Sequence, residues 1–164
     1  MATALERKKS QQRWPEASFA VVEKTVMIGC YCIRKLIESH KLSAHLARQS
    51  IRLRAFPHSG RPVTHMNWDM IGKLYDLDSP SDCAAELTWV CNQLIHSFVF
   101  VPSFTENGSF DGVFFCSDRE RHKSLYQVPV DRLIRLFRQV GNDYPASARM
   151  VFNPEKQDYD VTQE

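Results

Sequence analysis

The sequence predicts an α+β fold: mostly a helical bundle, with a small antiparallel three-stranded meander before the last helix. Three observations lead there. Apolar residues recur at three- and four-residue steps in Phe19, Val22, Val26, Cys30, Ile33 and Ile37, the period of a helix face. Three short β-rich runs, at 98–101, 113–116 and 124–128, are separated by turn-forming residues. A last amphipathic segment opens at Asp131 and closes on Gly141 and Asn142, with Pro145 beyond, which is a helix stop.

Taken in order, residues 1–14 are charged and Gln-rich and read as a flexible lead. They contain no apolar core of the kind a signal peptide needs. Pro15 suits the first turn of a helix, and the periodic positions carry that helix to about residue 40. Val21, Ile28, Tyr31 and Leu36 add apolar character on its other faces. Such a helix is expected at the centre of a bundle or in a homodimer interface.

Ser43 is placed to cap a second helix reaching Arg54, with Leu46, Ile51 and Leu53 apolar. Residues 56–62 hold two Pro, a Gly and a Ser and read as loop. Trp68, Ile71, Leu74 and Tyr75 form the stripe of a short helix over 67–75. Ser79, Pro80 and Asp82 form a helix-start signal, and a helix is expected from there to about Phe98. The meander follows, turning at Glu106-Asn107-Gly108-Ser109 and again over the charged residues 118–123. The closing helix has Leu133, Ile134, Leu136, Phe137 and Val140 inside and Arg132, Arg135 and Arg138 outside. Residues 15–145 read as one globular domain and 146–164 as a polar tail.

The net charge of +2 singles out no partner, but its distribution is uneven. No acid occurs between His40 and Trp68, where Lys41, Arg48, Arg52, Arg54 and Arg61 stand. Asp69, Asp76, Asp78, Asp82 and Glu86 follow, against Lys73 alone. The two segments either pair with each other or leave a basic strip facing phosphate. Arg48, Arg52 and Arg54 are therefore phosphate or ligand candidates. Arg119 and Arg121, in the run Asp118-Arg119-Glu120-Arg121-His122, are candidates of the same kind, because guanidinium forks suit phosphate.

Five cysteines without paired spacing read as reduced thiols in a cytoplasmic protein. No apolar run approaches the roughly 20 residues that span a bilayer, so no membrane partner is expected. No phosphate-cradling, zinc-protease or nucleophile-elbow motif is present, and neither a metal nor a cofactor is expected.

The strongest candidate site is Cys91-Asn92-Gln93-Leu94-Ile95-His96. Asn92 and His96 are four apart and share a helix face, with Trp89 one turn earlier. An imidazole with an ordinary pKa near 6.5 can move a proton or bond a phosphate, and an amide one turn away can orient it or a ligand. The alternative is that both side chains only hold helices together. The segment Asn92-x-x-x-His96 resembles part of the motif of the HEPN superfamily, small and often dimeric helical bundles found in ribonucleases and nucleotide-binding proteins. The resemblance implies a role for Asn92 and His96. The Arg that precedes the Asn in that motif is replaced by Cys91, which removes the cation that would stabilise a phosphorane. The function expected is binding without catalysis, of RNA, a nucleotide or a protein partner. A metal-independent endoribonuclease that recruits an Arg such as Arg48 or Arg52, and a purely structural dimer without a ligand site, are the alternatives.

Overall fold

A computed structural model describes residues 1–145 and 147–163. A five-stranded antiparallel sheet lies at its centre, in the order β2-β1-β5-β4-β3. The strands are β1 (Ser50–Pro57), β2 (Ser81–Glu86), β3 (Ser97–Phe104), β4 (Phe110–Ser117) and β5 (Ser124–Pro129). One face carries the long helices α1 (Ala2–Lys9), α2 (Glu16–Glu38), α5 (Leu87–Ile95) and α6 (Val130–Asn142). Ile51, Leu53, Val113, Phe115 and Val128 of the sheet meet Val26, Ile33, Leu94 and Phe137 of the helices there. Short helices α3 (Ala44–Ala47) and α4 (Ile71–Leu74) lie in the connections.

The opposite face is covered at one end only. Phe56, Val99, Cys116 and Leu125 pack there against Val63, Leu74 and Tyr75 from the chain between β1 and β2. That covering segment is pinned by the charged turn after β4. The Val63 N–H donates to His122 Nε2 at 3.1 Å, and the Tyr75 hydroxyl donates to the Arg121 carbonyl at 2.8 Å. The Arg121 guanidinium sits 4.1 Å from the centre of the Phe98 ring.

The expectation of a mostly helical bundle is overturned by this sheet, and two segments account for the difference. Residues 50–54, expected to continue a helix, and residues 56 and 57, expected in a loop, form β1, with Ile51 and Leu53 buried and Ser50, Arg52 and Arg54 exposed. That alternation is the period of a strand. With only three large apolar residues between 43 and 54, helix and strand patterns overlap, and pairing on both sides decides for the strand. Residues 81–86 were expected in the first turns of a helix but form β2, the edge strand. Ladder bonds to β1 and inward burial of Cys83 and Ala85 outweigh the local capping preference. The helix itself begins six residues later than Ser81, at Leu87.

The basic and acidic segments are therefore neighbouring strands, with Arg54 opposite Asp82 and Ser50 opposite Glu86. The expected meander is present as β3, β4 and β5, with Gly108 at φ +74° in the Asn-Gly turn. The long first helix and the closing helix also stand where the periodicity placed them.

Both chain ends differ from expectation. The stretch read as a flexible lead forms α1, whose Leu5 is fully buried in the helix-side core. Trp14 closes over Phe104 and Phe110 at ring distances of 4.8 and 5.4 Å. The stretch read as a polar tail pairs as a hairpin of β6 (Ala148–Asn153) and β7 (Asp158–Gln163).

Candidate functional site

Asn92 and His96 come to one cleft at the end of the sheet where β4 gives way to the charged turn. The cleft has a volume of about 670 Å³. Helix α5 lines it with Trp89, Asn92 and Gln93, and His96 is the residue that ends the helix. The His96 N–H donates to the Asn92 carbonyl at 3.0 Å, which holds the two side chains on one side. His96 is exposed and Asn92 half-buried.

Ser117 at the end of β4, and Asp118, Arg119 and Glu120 after it, make one wall. Arg34 of α2 makes the other. The register between helix and strand is set by a buried bond: Gln93 Oε1 accepts the Ser117 N–H at 3.0 Å. Both residues are more than nine-tenths buried.

Two residues that line this cleft each carry a buried oxygen without a hydrogen-bond partner, Asn92 Oδ1 and Ser117 Oγ. An unpaired buried polar atom costs about 1–3 kcal/mol, so native proteins keep few of them without a reason. The charged groups divide differently. Glu120 is engaged by its neighbours, Lys123 at 2.9 Å and the Tyr126 hydroxyl at 3.2 Å. Burial, and then the nearby Glu120 carboxylate, push the Tyr126 phenol up to about 12. Asp118 lies 3.3 Å from Arg121, and Arg34 donates to Glu38 at 2.8 Å. Arg119 has no ion-pair partner among the described residues and is exposed. The Trp89 ring is braced edge-on against Tyr126 at 5.0 Å, so it stands as a fixed aromatic surface in the cleft wall.

No protein family, curated protein or solved structure matches this chain.

Cys91, which stands where the motif cited above has its Arg, is fully buried and points away from the cleft. It packs between α5 and α2 beside Cys30, whose thiol is pushed up by the contact with Cys91 and by burial. Arg34 and Arg119 come to the His96 cleft from other elements instead. Arg119 was among the candidates and Arg34 was not. Position 34 lies in a long helix with nothing local to tie it to His96, so only the α2–α5 packing brings them together. Ser117 was missed for a similar reason, since a Ser closing a strand carries no signal until its burial is known.

The remaining candidates lie elsewhere. Arg48 ends α3 and lines a separate surface cleft with His40, Glu86 and Thr88. Arg52 and Arg54 project from β1 into a third cleft. Arg121 is held by Asp118 and Phe98 and serves to brace the turn. Among the described residues, no group of three or more metal-ligating side chains occurs, and no helix is long and apolar enough to cross a membrane.

Proposed function

We propose that the His96 cleft binds a nucleotide or a short stretch of single-stranded RNA without cleaving it. The observation that carries this reading is the pair of unpartnered buried oxygens, Asn92 Oδ1 and Ser117 Oγ, on residues that line a cleft with an aromatic wall and a free guanidinium. Base amino groups are donors that match the Asn92 acceptor. Trp89 offers a face for base stacking, worth about 1–3 kcal/mol per base. Arg119 offers a fork to one phosphate. Recognition of this kind rests on hydrogen bonds and stacking more than on charge, because the carboxylates of Asp118 and Glu120 offset the guanidiniums. Its salt dependence is correspondingly shallow, with a slope near the −0.7 expected for about one phosphate contact on a single strand.

Anisotropy titration of a fluorescein-labelled single-stranded RNA against wild type, Asn92→Ala, Trp89→Leu and Arg119→Gln tests the proposal. The expected result is about tenfold weaker binding in each variant, consistent with one lost bond or stack. Equal affinity across the four proteins, or no binding by wild type, would overturn it.

A second reading has one observation in its favour. Arg34 and Arg119 share the cleft with His96, so a cation and an imidazole are both present for metal-independent RNA cleavage. An RNA-degradation assay separates the two. Equal inertness of wild type and His96→Ala excludes the nuclease, whereas cleavage lost on His96→Ala replaces simple binding with catalysis.

A further inference from the structure

A different cleft, of about 590 Å³, lies where β1 and β2 run past the start of α6. It is lined by Arg52 and Arg54 of β1, Asp82 and Ala84 of β2, and Pro129 and Arg132 at the start of α6. Strand alternation puts Arg52 and Arg54 on the same face as Phe56, but the segment that covers Phe56 does not reach them, and both are exposed.

Three features set this cluster apart from a solvated basic face. First, none of the three arginines has an ion pair or hydrogen bond among the described residues. The nearest carboxylate in the ladder, Asp82, stands directly opposite Arg54 yet forms no salt bridge with it. Second, Arg132 Nε is buried and unpartnered. A guanidinium is permanently charged, and leaving one of its donors dry and unpaired is costly. The same arginine's neighbours on the helix behave as a surface row should: Arg138 pairs with Glu6 at 2.6 Å and Arg135 is exposed. Third, α6 starts in the wall of the cleft with Pro129 as its N-cap and no side chain capping it. The first-turn acid of this 13-residue helix, Asp131, is paired with Lys9 at 2.7 Å and does not line the cleft, so the positive helix end adds to the charge of the cleft wall.

Charge sets the ligand class. Three guanidiniums against the one Asp82 carboxylate leave a surplus of two positive charges. Burial, and then Asp82, push the Cys83 thiol up, so it stays neutral. A phosphate monoester or inorganic phosphate carries about −1.5 to −2 at neutral pH and three acceptor oxygens, which matches both the surplus and the number of forks. We propose that the cleft between β1, β2 and the start of α6 is a binding site for a phosphate dianion, with Arg52, Arg54 and Arg132 as its ligands. The dianion comes either from a small molecule or from the 5′ end of a nucleic acid. The site is separate from the His96 cleft and does not depend on what that cleft does.

Isothermal titration of the full chain with inorganic phosphate at constant chloride is the test. Arg54→Gln and Arg132→Gln are each expected to weaken binding about tenfold or more, the effect of one charge-assisted contact. Asp82→Asn is expected to tighten it. Arg135→Gln removes the same charge from the same helix outside the cleft and is expected to leave binding as in wild type. Because Arg54 is exposed, its variant reads the site even if Arg132→Gln fails to fold. A second arm compares 5′-phosphorylated with 5′-hydroxyl RNA. Preference for the phosphorylated end, lost in Arg54→Gln, assigns the site to a nucleic-acid terminus, and phosphate binding without that preference assigns it to a small phosphate. No phosphate binding by wild type, or equal binding by Arg54→Gln and Arg135→Gln, would overturn the proposal.

Discussion

Replacing Leu5 by Ala separates a packed α1 from a flexible lead. Leu5 has no exposed surface and sits in the helix-side core. Removing three carbons costs about 2.4 kcal/mol at about 0.8 kcal/mol per methylene. The cavity left behind raises typical buried Leu→Ala losses to about 3–5 kcal/mol. A ceiling also applies. A helix of eight residues does not hold itself together in water, so once docking is weakened past zero α1 detaches, and the loss stops at its docking free energy. What else holds it is the partial burial of Ala2, the Lys8–Ser18 hydrogen bond at 2.9 Å and two exposed ion pairs, Lys9–Asp131 at 2.7 Å and Glu6–Arg138 at 2.6 Å. Such pairs are worth about 0–1 kcal/mol each. The expected loss is therefore about 2–4 kcal/mol, read as a lower urea midpoint by circular dichroism. A loss below about 0.5 kcal/mol would refute the packing of α1 and restore the flexible lead.

Three further outcomes follow from packing elsewhere. Gly29 lets α2 approach α6: a Cβ there would lie 2.4 Å from Phe137 Cζ. Gly29→Ala is expected to lose about 1 kcal/mol, since overpacking of about 1–3 kcal/mol outweighs the helix preference of Ala. Gly141→Ala, with open space around its Cβ, is expected to be neutral or stabilising in the same urea titration. At alkaline pH, burial pushes the Cys116 thiol from 9.0 to about 11. The folded state then holds this proton more tightly than the unfolded chain, so its contribution is complete below about pH 9 and is lost as pH rises toward 11. Two units correspond to about 2.7 kcal/mol, and Cys116→Val is expected to flatten the fall in stability between those pH values. An unchanged slope would show that Cys116 does not titrate as argued.

What was legible in the sequence follows from how local each signal is. The α2 helix, the closing helix and the meander are spelled out by periodicity and by turn residues, and those need no distant partner. Strands β1 and β2 are not spelled out in that way. Arg52 and Arg54 alternate with Ile51 and Leu53, but three apolar residues in a short segment satisfy a helix nearly as well. Ser79-Pro80-Ser81-Asp82 is a sound helix start that the ladder with β1 overrides. Missing those two strands also scattered the arginines. In sequence Arg48, Arg52 and Arg54 read as one basic strip, whereas the strand sends Arg52 and Arg54 to one cleft and leaves Arg48 in another. The half of the His96 site that lies on α5 was visible because its residues are four apart. The other half, Arg34 and Ser117, enters from 62 residues before and 21 after His96, distances over which residue type alone says nothing.

The position of Cys91 yields the sharpest test of whether spacing alone makes a site. Consecutive residues on a helix point about 100° apart, so the residue before Asn92 shares its cleft only if that side of the helix is open. Here α5 is covered by α2 on the Cys91 side, and Cys91 is fully buried there. Cys91→Arg would complete the Arg-Asn-x-x-x-His spacing while driving an unpaired guanidinium between two helices. No carboxylate is among the buried residues of that core, so the charge would be left uncompensated, a change in the class that costs more than about 4 kcal/mol. The expected outcome is a protein that unfolds at far lower urea than wild type and gains no activity on RNA. A stable Cys91→Arg protein that cleaves RNA would mean that the helix can turn its Cys91 side toward the cleft, and the assignment of cations to Arg34 and Arg119 would then fail with it.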